Sequence, residues 1–340
     1  MNRVNVGIIN VTGYIGIDLA RILVQHPGVR LASVTGRSGA GQRLGEIFPH
    51  MADSGLMVEA ELGDVEVAFA ALPHGASAEA VVKALERDIK VIDTSADFRL
   101  KDAGTYKEWY KETHPAPELL AEAVYGLPEI YRAEISGARL VANPGCYPTS
   151  AILALAPALR EGLIEPDIIV DSKSGVSGAG RTLTLTTHFA EANENVSAYA
   201  LGGHRHLPEI KQELQNLVGG REVSLTFIPH LIPMTRGMLS TCYARLTRRV
   251  AIGEIRDLYK EFYRDEPFVR VVDLPPQTKQ VLGSNFCLVH PVLDPRTERL
   301  IVVSCIDNLV KGGAGQAVQN MNLMLGLPEG MGLGAVALYP

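Results

Sequence analysis

One of the four cysteines lies where a thiol can act as a nucleophile. Cys146 follows a strand-like run at residues 140–142 and an Asn-Pro-Gly turn, and a strong helix-forming stretch runs from Ser150 to Ala156 and ends near Pro157. The thiol is therefore predicted at or just before a helix N-terminus, which lowers the pKa of a thiol and raises its thiolate fraction. The remaining cysteines lie in strand-like apolar runs, as inert core thiols do: Cys242, Cys287 and Cys305.

A nucleophilic thiol needs a group that handles protons, and the best candidate segment is residues 202–210. It places His204, Arg205, His206 and Glu209 directly after a glycine pair, and a helix is predicted to start near Pro208. The residues alone do not rank the two histidines. Three other histidines adjoin prolines and are predicted in surface turns: His26, His50 and His114.

The N-terminal residues predict the element that holds a dinucleotide. An apolar run at residues 4–9 is typical of a strand buried on both faces of a parallel sheet. A glycine-containing turn, a helical stretch from Ile17 to Val24 and a second strand at residues 30–34 complete a βαβ unit. Gly13 and Gly16 stand where a close backbone approach to pyrophosphate needs glycine, although Asn10 replaces the usual first glycine.

The end of the second strand favours NADP over NAD. An NAD site usually has Asp or Glu there, whereas this chain has Thr35, Arg37 and Ser38, which suit a 2′-phosphate. Two further strands end in turns that should face the same ligand. The coenzyme contacts predicted from these turns are Thr12, Gly13, Tyr14, Ile15, Gly16, Thr35, Arg37, Ser38, Leu72, Pro73 and Ser95.

Composition excludes several other classes. The chain has 340 residues, 46% of them apolar, and 32 basic against 38 acidic residues give a net charge of −6. That balance argues against a nucleic-acid partner, and no apolar run is long enough to span a membrane. The N-terminus lacks the features of a signal peptide, and no CxxC pair suggests zinc, so we expect a reduced, cytoplasmic enzyme without a bound metal.

Several longer motifs resemble one known family, N-acetyl-γ-glutamyl-phosphate reductase. The motifs NPGCYPT at 143–149 and HRHLPE at 204–209 carry the resemblance, with Ser150 replacing the glycine or alanine of the family signature. Further matches span nearly the whole chain: TGYIG at 12–16, ADFRL at 96–100, VYGLPEIYR at 124–132, SGVSGAGR at 174–181, IPHLIPMTRGM at 228–238 and DNLVKGGAGQAVQNMN at 307–322.

The resemblance implies an α/β fold with two domains. A Rossmann NADP-binding domain is expected over residues 1–147 and 313–340, and an α+β catalytic and dimerisation domain of the semialdehyde dehydrogenase type over 148–312. Cys146 is then the nucleophile and His204 the acid/base, with His206 as the alternative. Additional coenzyme contacts are Ser177, Gly178 and Asn308. Substrate contacts are Asn143, Arg181, Arg205 and Glu209.

The implied activity is the NADPH-dependent reduction of an acyl phosphate to an aldehyde through a cysteine thioester. This reaction belongs to arginine biosynthesis. The resemblance also implies that the protein is a homodimer or homotetramer. A related alternative is a reductase of the lysine or ornithine pathway whose aminoadipyl or glutamyl phosphate is bound to a carrier protein. Aspartate-semialdehyde dehydrogenase is less well matched by the two motifs. A nucleotide-sensing protein without catalysis would be expected to lack the cysteine or the histidines, and both are present.

Overall fold

The computed structural model describes residues 3–340, which divide into two compact units. Unit 1 contains the chain up to Gly145 together with Gly313–Ala335, and unit 2 contains Cys146–Gly312 together with Val336–Pro340. The observed division thus differs from the predicted one, which lay after residue 147 and assigned the whole C-terminus to the nucleotide-binding domain. The last segment belongs to unit 2, where the backbone N–H of Leu338 donates to the carbonyl of Leu282 at 2.9 Å.

Strands and helices alternate along most of the chain. Within residues 3–340 the strands are β1 (Val4–Ile9), β2 (Val29–Thr35), β3 (Val58–Glu59), β4 (Val67–Ala70), β5 (Lys90–Asp93), β6 (Val124–Tyr125), β7 (Leu140–Ala142), β8 (Ile164–Gly175), β9 (Ser197–Ala198), β10 (Ser224–Ile232), β11 (Met238–Leu246), β12 (Val269–Val271), β13 (Cys287–Asp294) and β14 (Arg299–Ile306). The helices of the same residues are α1 (Tyr14–Leu23), α2 (Leu44–Ile47), α3 (Ala76–Leu85), α4 (Ala103–Tyr110), α5 (Leu119–Glu122), α6 (Pro128–Gly137), α7 (Cys146–Arg160), α8 (Phe189–Ala192), α9 (His206–Leu217), α10 (Ile252–Phe262) and α11 (Gly315–Met324).

Unit 1 is built on a parallel sheet with the strand order β3-β2-β1-β4-β5-β7-β6. The predicted first strand is confirmed with its bounds, and α1 begins at Tyr14, earlier than the predicted Ile17. The strand order reverses between β1 and β4, and open parallel sheets bind ligands at such a point, outside the carboxyl ends of the strands. The turns that follow these two strands are therefore the expected walls of a ligand site.

The last helix, α11, belongs to unit 1 and carries buried amide side chains into it. Gln316 Nε2 and Asn320 Nδ2 both donate to the carbonyl of Gly126, at 2.8 and 2.9 Å. Gln319 Nε2 donates to Glu329 Oε1 at 2.7 Å. These three amides are fully buried, and their hydrogen bonds offset part of the cost of removing them from water, since Gln316 Oε1 and Asn320 Oδ1 have no hydrogen-bond partner within residues 3–340.

Unit 2 is a mixed sheet, ordered β12-β13-β14-β11-β8-β10-β9, with α7 packed on one face. The prediction that this helix ends near Pro157 is wrong, because α7 continues to Arg160. Proline has no N–H to donate to the carbonyl four residues earlier, that of Leu153. The Tyr263 hydroxyl donates to this carbonyl instead, so a long-range contact satisfies the group that the proline leaves unpaired.

Two of the three histidines predicted in surface turns are buried in unit 1. His50 is exposed as expected, whereas His26 and His114 are 2% and 3% exposed. A ring nitrogen of His26 hydrogen-bonds Asn322 at 3.1 Å, and one of His114 hydrogen-bonds the carbonyl of Asp97 at 2.8 Å. Burial lowers the pKa of both. A proline next to a histidine predicts a turn, but it does not predict whether residues distant in sequence pack against that turn in the folded protein.

Candidate active site

The turn after β1 contains the asparagine that replaces the first glycine. Asn10 has φ 71°, in the left-handed region that asparagine tolerates better than most residues. Its backbone N–H donates to Thr35 Oγ1 at 3.2 Å, and its side-chain Nδ2 donates to the carbonyl of Ala71 at 2.8 Å. The side chain thus joins the turns after β1 and β4 at the reversal of strand order, a link that glycine could not make.

The two glycines of this turn meet different surroundings. A Cβ on Gly16 would lie 2.4 Å from the carbonyl oxygen of Asn10 and 2.8 Å from Cα of Val11, so no larger residue fits without backbone movement. A Cβ on Gly13 would meet only Asn10 Nδ2, at 3.7 Å. Gly13 precedes the first residue of α1, and no side chain caps that helix. The open helix N-terminus suits a pyrophosphate, so the residues present fit a dinucleotide.

A cleft of about 850 Å³ opens beside this turn, and it is lined by the predicted coenzyme residues Thr35, Arg37, Ser38, Leu72 and Pro73. Arg37 and Ser38 are exposed to solvent. The other charged residues that line the cleft are Lys83 and Arg87, which are basic, and Glu61 and Glu79, which are acidic.

Two buried carboxylates support the turns after β4 and β5, and the sequence analysis missed both. Asp93 Oδ2 accepts from the Ser95 hydroxyl at 2.7 Å, and its Oδ1 accepts from Ser77 at 2.6 Å. Asp97 accepts from the backbone N–H of Gly75 at 2.8 Å. Burial, with the negative charge of Asp97 adding to it, raises the pKa of Asp93 to about 6. The predicted coenzyme residue Ser95 is therefore held by a hydrogen-bonded network.

The candidate nucleophile is the first residue of α7, as its sequence context predicts. Cys146 is partly exposed, whereas the other three cysteines are buried in or at the ends of strands. Burial raises the pKa of the Cys242 and Cys305 thiols to about 12. Only Cys146 therefore combines access to solvent with a helix N-terminus, the environment that favours a thiolate.

Gly312, which is distant in sequence, packs directly against Cys146, and only a residue without a side chain fits there. Gly312 lies in a π-helical turn, Val310–Ala314, and a Cβ on Gly312 would lie 2.7 Å from the cysteine Cβ. The carboxylate of Asp307 caps this turn by accepting from the backbone N–H groups of Leu309 and Val310, at 2.8 and 3.2 Å. Single π-helical turns are often found at functional sites.

Four buried serines join the first turns of α7 to the sheet below it. Ser172, Ser240 and Ser304 form one row across β8, β11 and β14. The Ser150 hydroxyl hydrogen-bonds those of Ser240 and Ser304, and the Ser304 hydroxyl donates to the backbone carbonyl of Ser150 at 2.9 Å. Ser150 is thus bonded to the sheet one turn after the candidate nucleophile.

The two candidate histidines lie together in an aromatic cluster of unit 2. The ring of Tyr147 lies 5.6 Å from that of His204 and 5.8 Å from that of His206, and the two imidazoles are 4.9 Å apart. Tyr199 and Phe227 also pack on His204, each at 5.5 Å. Burial, followed by the positive charge of Arg205, lowers the pKa of His204 to about 4, so this imidazole is neutral at pH 7.

The remaining predicted site residues differ in exposure. Within unit 2, Asn308 Nδ2 donates to Ser177 Oγ at 2.9 Å, and Gly178 follows in the same short turn. Arg181 and Arg205 are exposed, whereas Glu209 is 1% exposed in α9. Asn143, in unit 1, is also 1% exposed, and its side chain bonds the carbonyl of Gly313 and Asn320 Nδ2 at 3.1 and 3.0 Å.

Comparison with known proteins identifies the family. The models described as "Semialdehyde dehydrogenase, NAD binding domain" and "Semialdehyde dehydrogenase, dimerisation domain" match residues 5–138 and 146–308. Proteins named N-acetyl-gamma-glutamyl-phosphate reductase are 58% identical in Dehalococcoides mccartyi, over 100% of both chains, and 53% identical in Pelotomaculum thermopropionicum, over 99% of both. The chain belongs to the N-acetyl-gamma-glutamyl-phosphate reductase family. As a member of this family it is an oxidoreductase, and its N-terminal unit is a nicotinamide-coenzyme domain.

Solved structures outside the reductase family share its fold. Aspartate semialdehyde dehydrogenase II from Vibrio cholerae superposes with a TM-score of 0.73 at 19% identity, over 95% of this chain and 99% of that one. The Candida albicans aspartate semialdehyde dehydrogenase with NADP gives a TM-score of 0.71 at 14% identity, over 95% and 99%. The predicted two-domain α/β fold is thereby confirmed. No helix in residues 3–340 is long and apolar enough to cross a membrane.

Proposed function

We propose that the chain catalyses the NADPH-dependent reduction of N-acetyl-γ-glutamyl phosphate to N-acetylglutamate 5-semialdehyde, with release of phosphate, in arginine biosynthesis. The observation that carries this proposal is the position of Cys146, a partly exposed thiol at the first residue of α7. The named relatives support the same substrate and do not favour the carrier-linked alternative.

The mechanism begins with covalent catalysis by Cys146. Its thiolate attacks the acyl carbon, and the acyl–oxygen bond to phosphate breaks, leaving a thioester on sulfur. NADPH, when bound, supplies the hydride that reduces this thioester. The resulting oxyanion collapses with loss of the thiolate and releases the aldehyde, and His204 is the imidazole that we assign to this stage. Splitting the reaction in two replaces one difficult step by two easier ones.

The preference for NADPH belongs to the same proposal. Thr12, Gly13, Tyr14, Ile15 and Gly16 would hold the pyrophosphate through the turn and the N-terminus of α1. Arg37 and Ser38 line the cleft where the second strand ends, and a guanidinium with a hydroxyl donor suits a 2′-phosphate. Ser177, Gly178 and Asn308 remain predicted coenzyme contacts.

Two exposed arginines are the cations that we propose for the substrate. Arg181 and Arg205 can bind carboxylate or phosphate oxygens in a bidentate manner. Asn143 and Glu209 also remain predicted substrate contacts, but both are buried, so a direct contact would require their side chains to become accessible.

We also propose that the protein works as a homodimer or homotetramer. The sheet face of unit 2 opposite α7 carries a row of partly exposed apolar residues, Ile169, Tyr243 and Ile301, on three adjacent strands. Covering such a face with a second copy removes apolar surface from water. Because the proposed nucleophile must stay reduced in order to react, the proposal includes a reducing, cytoplasmic compartment.

The test measures phosphate-dependent oxidation of free N-acetylglutamate 5-semialdehyde. Cys146→Ser should abolish this activity and leave NADPH binding, followed by fluorescence titration, close to that of the wild type. The matched control is Cys242→Ser, which changes a buried thiol of unit 2 and should remain active.

Substantial activity in Cys146→Ser would overturn the thioester mechanism. A wild-type enzyme that accepts only a carrier-linked substrate would overturn the substrate assignment and favour the lysine-pathway alternative.

A further inference from the structure

Asp307 is a buried carboxylate that the proposed mechanism does not use. It follows the last residue of β14 and is 0% exposed. Its Oδ1 accepts from the backbone N–H groups of Leu309 and Val310, at 2.8 and 3.2 Å. Its backbone carbonyl accepts from the N–H of Gly312 at 3.0 Å, which is the bond between residues i and i+5 that defines a π-helical turn. This one residue therefore provides three hydrogen bonds to the segment 309–312.

The second oxygen of this carboxylate has separate partners. Oδ2 accepts from the backbone N–H of Gly283 at 2.7 Å and lies 3.7 Å from a guanidinium nitrogen of Arg236. Burying a carboxylate is costly unless its oxygens are hydrogen-bonded and its charge is compensated, and both conditions hold for Asp307. The carboxylate is thus fixed on both sides, so it can hold the π-helical turn in one position.

The same turn packs against the proposed nucleophile. A Cβ on Gly312 would lie 2.7 Å from Cβ and 3.2 Å from Cα of Cys146, so the main chain of the turn is in contact with the cysteine. A π-helical turn is rare, and its first N–H groups lack partners within it. Loss of the Asp307 carboxylate would therefore favour another conformation of the turn and move Gly312.

We infer that Asp307 is a positioning residue for the reaction: it holds Gly312 against Cys146 and thereby keeps the sulfur where it can attack the acyl carbon. The inference rests on the proposed function, because it concerns the nucleophile of that reaction. Asp307 acts through the turn and needs no contact with the substrate. A displacement of a reacting group by about 1 Å can lower a rate by roughly 100-fold, so a small movement of the turn is sufficient.

Two substitutions separate the hydrogen bonds of Asp307 from its charge. Asparagine removes the negative charge but keeps one acceptor oxygen, which can face the N–H groups of Leu309 and Val310. Alanine removes both the charge and the acceptor. A difference between Asp307→Asn and Asp307→Ala therefore reports the hydrogen bonds to the turn.

The first experiment measures steady-state kinetics of the two full-length variants. In Asp307→Ala we expect kcat to fall by about 10- to 100-fold, with little change in KM for N-acetylglutamate 5-semialdehyde. The kcat of Asp307→Asn should stay at least about fivefold above that of Asp307→Ala, because the turn keeps its acceptor. A rise in KM at wild-type kcat, or an equal loss of kcat in both variants, overturns the inference.

The second experiment measures the thiol of Cys146 without turnover. Alkylation by iodoacetamide over a range of pH gives the pKa of this thiol, because only the thiolate reacts, and mass spectrometry identifies the Cys146 peptide. In Asp307→Ala we expect the pKa to rise toward the ordinary value of about 8.5, since the sulfur moves away from the N-terminus of α7. In Asp307→Asn we expect no rise.

The sign of this change distinguishes displacement from electrostatics. Loss of a nearby negative charge alone would lower the pKa of a thiol, so it would lower it in both variants. A lowered or unchanged pKa of Cys146 in Asp307→Ala overturns the inference. No substrate is present, so this result stands apart from any failure of the proposed substrate assignment.

The matched control for a general loss of stability is Tyr259→Phe. It removes a buried hydrogen bond of unit 2, the one from the Tyr259 hydroxyl to the carbonyl of Ala154 at 2.7 Å, and leaves the π-helical turn intact. Its kcat and the pKa of Cys146 should equal those of the wild type below the unfolding temperature. A loss of kcat as large as that of Asp307→Ala overturns the inference. If Asp307→Ala is not recovered folded, Asp307→Ser takes its place, and kcat should again be higher in Asp307→Asn.

Discussion

Two strand-to-helix turns, one after β1 and one leading into α7, are shaped by glycines in different places. In the turn after β1, Gly16 packs against Asn10 and Val11, which belong to the same short motif. In the turn that leads into α7, the glycine that gives Cys146 its room is Gly312, far along the chain. The first turn therefore carries its steric requirement within its own sequence, whereas the second depends on a segment that only the fold brings close.

Gly312→Ala should produce the largest effect. Its Cβ would lie 2.7 Å from Cβ and 3.2 Å from Cα of Cys146, and because neither atom belongs to a flexible side-chain end, the nucleophile must shift. A displacement of about 1 Å can lower kcat by roughly 100-fold. Steady-state kinetics and the rate of Cys146 alkylation measure this effect, and the affinity for NADPH should remain that of the wild type.

The control for that variant is Gly253→Ala in α10, where a Cβ meets nothing within 4 Å. A wild-type kcat in Gly312→Ala would show that the turn leading into α7 accommodates a methyl group at residue 312. The proposed difference between the two turns would then be wrong.

Gly16→Ala tests the local requirement of the first turn. The methyl group would collide with the backbone of Asn10 and Val11, so we expect a loss of about 1–3 kcal/mol in the free energy of unfolding, together with weaker NADPH binding. Gly13→Ala is the matched variant in the same turn, and it should unfold as the wild type does. Denaturation curves that give the same free energy of unfolding for Gly16→Ala and Gly13→Ala would contradict this account.

Arg37→Ala should have a smaller and more selective effect. Loss of hydrogen bonds to a charged phosphate corresponds to a rise of about tenfold in KM for NADPH, with little change for NADH. Arg30→Ala, which alters an exposed arginine of β2, the strand that precedes Arg37, should change neither KM. Equal changes in KM for NADPH and NADH would show that Arg37 does not bind the 2′-phosphate.

The sequence was most informative where a feature depends on neighbouring residues. The bounds of β1, the helix N-terminus at Cys146 and the burial of Cys242, Cys287 and Cys305 all follow from local patterns, and the structure agrees with each. The two-domain fold was predictable because many motifs resemble one family in the same order.

The features that sequence did not predict all depend on partners distant in the chain. Pro157 stays inside a helix because Tyr263 bonds the carbonyl that it leaves free. His26 is buried because residues near the C-terminus, Asn322 and Gly332, cover it. Asp93 lies outside the recognised motifs and Asp97 lies inside one, yet the hydrogen bonds that Ser77 and Gly75 donate to these carboxylates could not be predicted from spacing. Gly312 lay within a recognised motif, yet its contact with Cys146 could not be read from spacing.

The hydrogen bonds that α11 makes to Gly126 also bear on how the chain folds as it is synthesised. The ribosome releases unit 2, apart from Val336–Pro340, as one continuous stretch, Cys146–Gly312, and the buried amides of unit 1 follow only with α11. Unit 1, which begins first, therefore receives these amides only after the Cys146–Gly312 stretch of unit 2 has been made, and until then its Gly126 carbonyl lacks both amide donors.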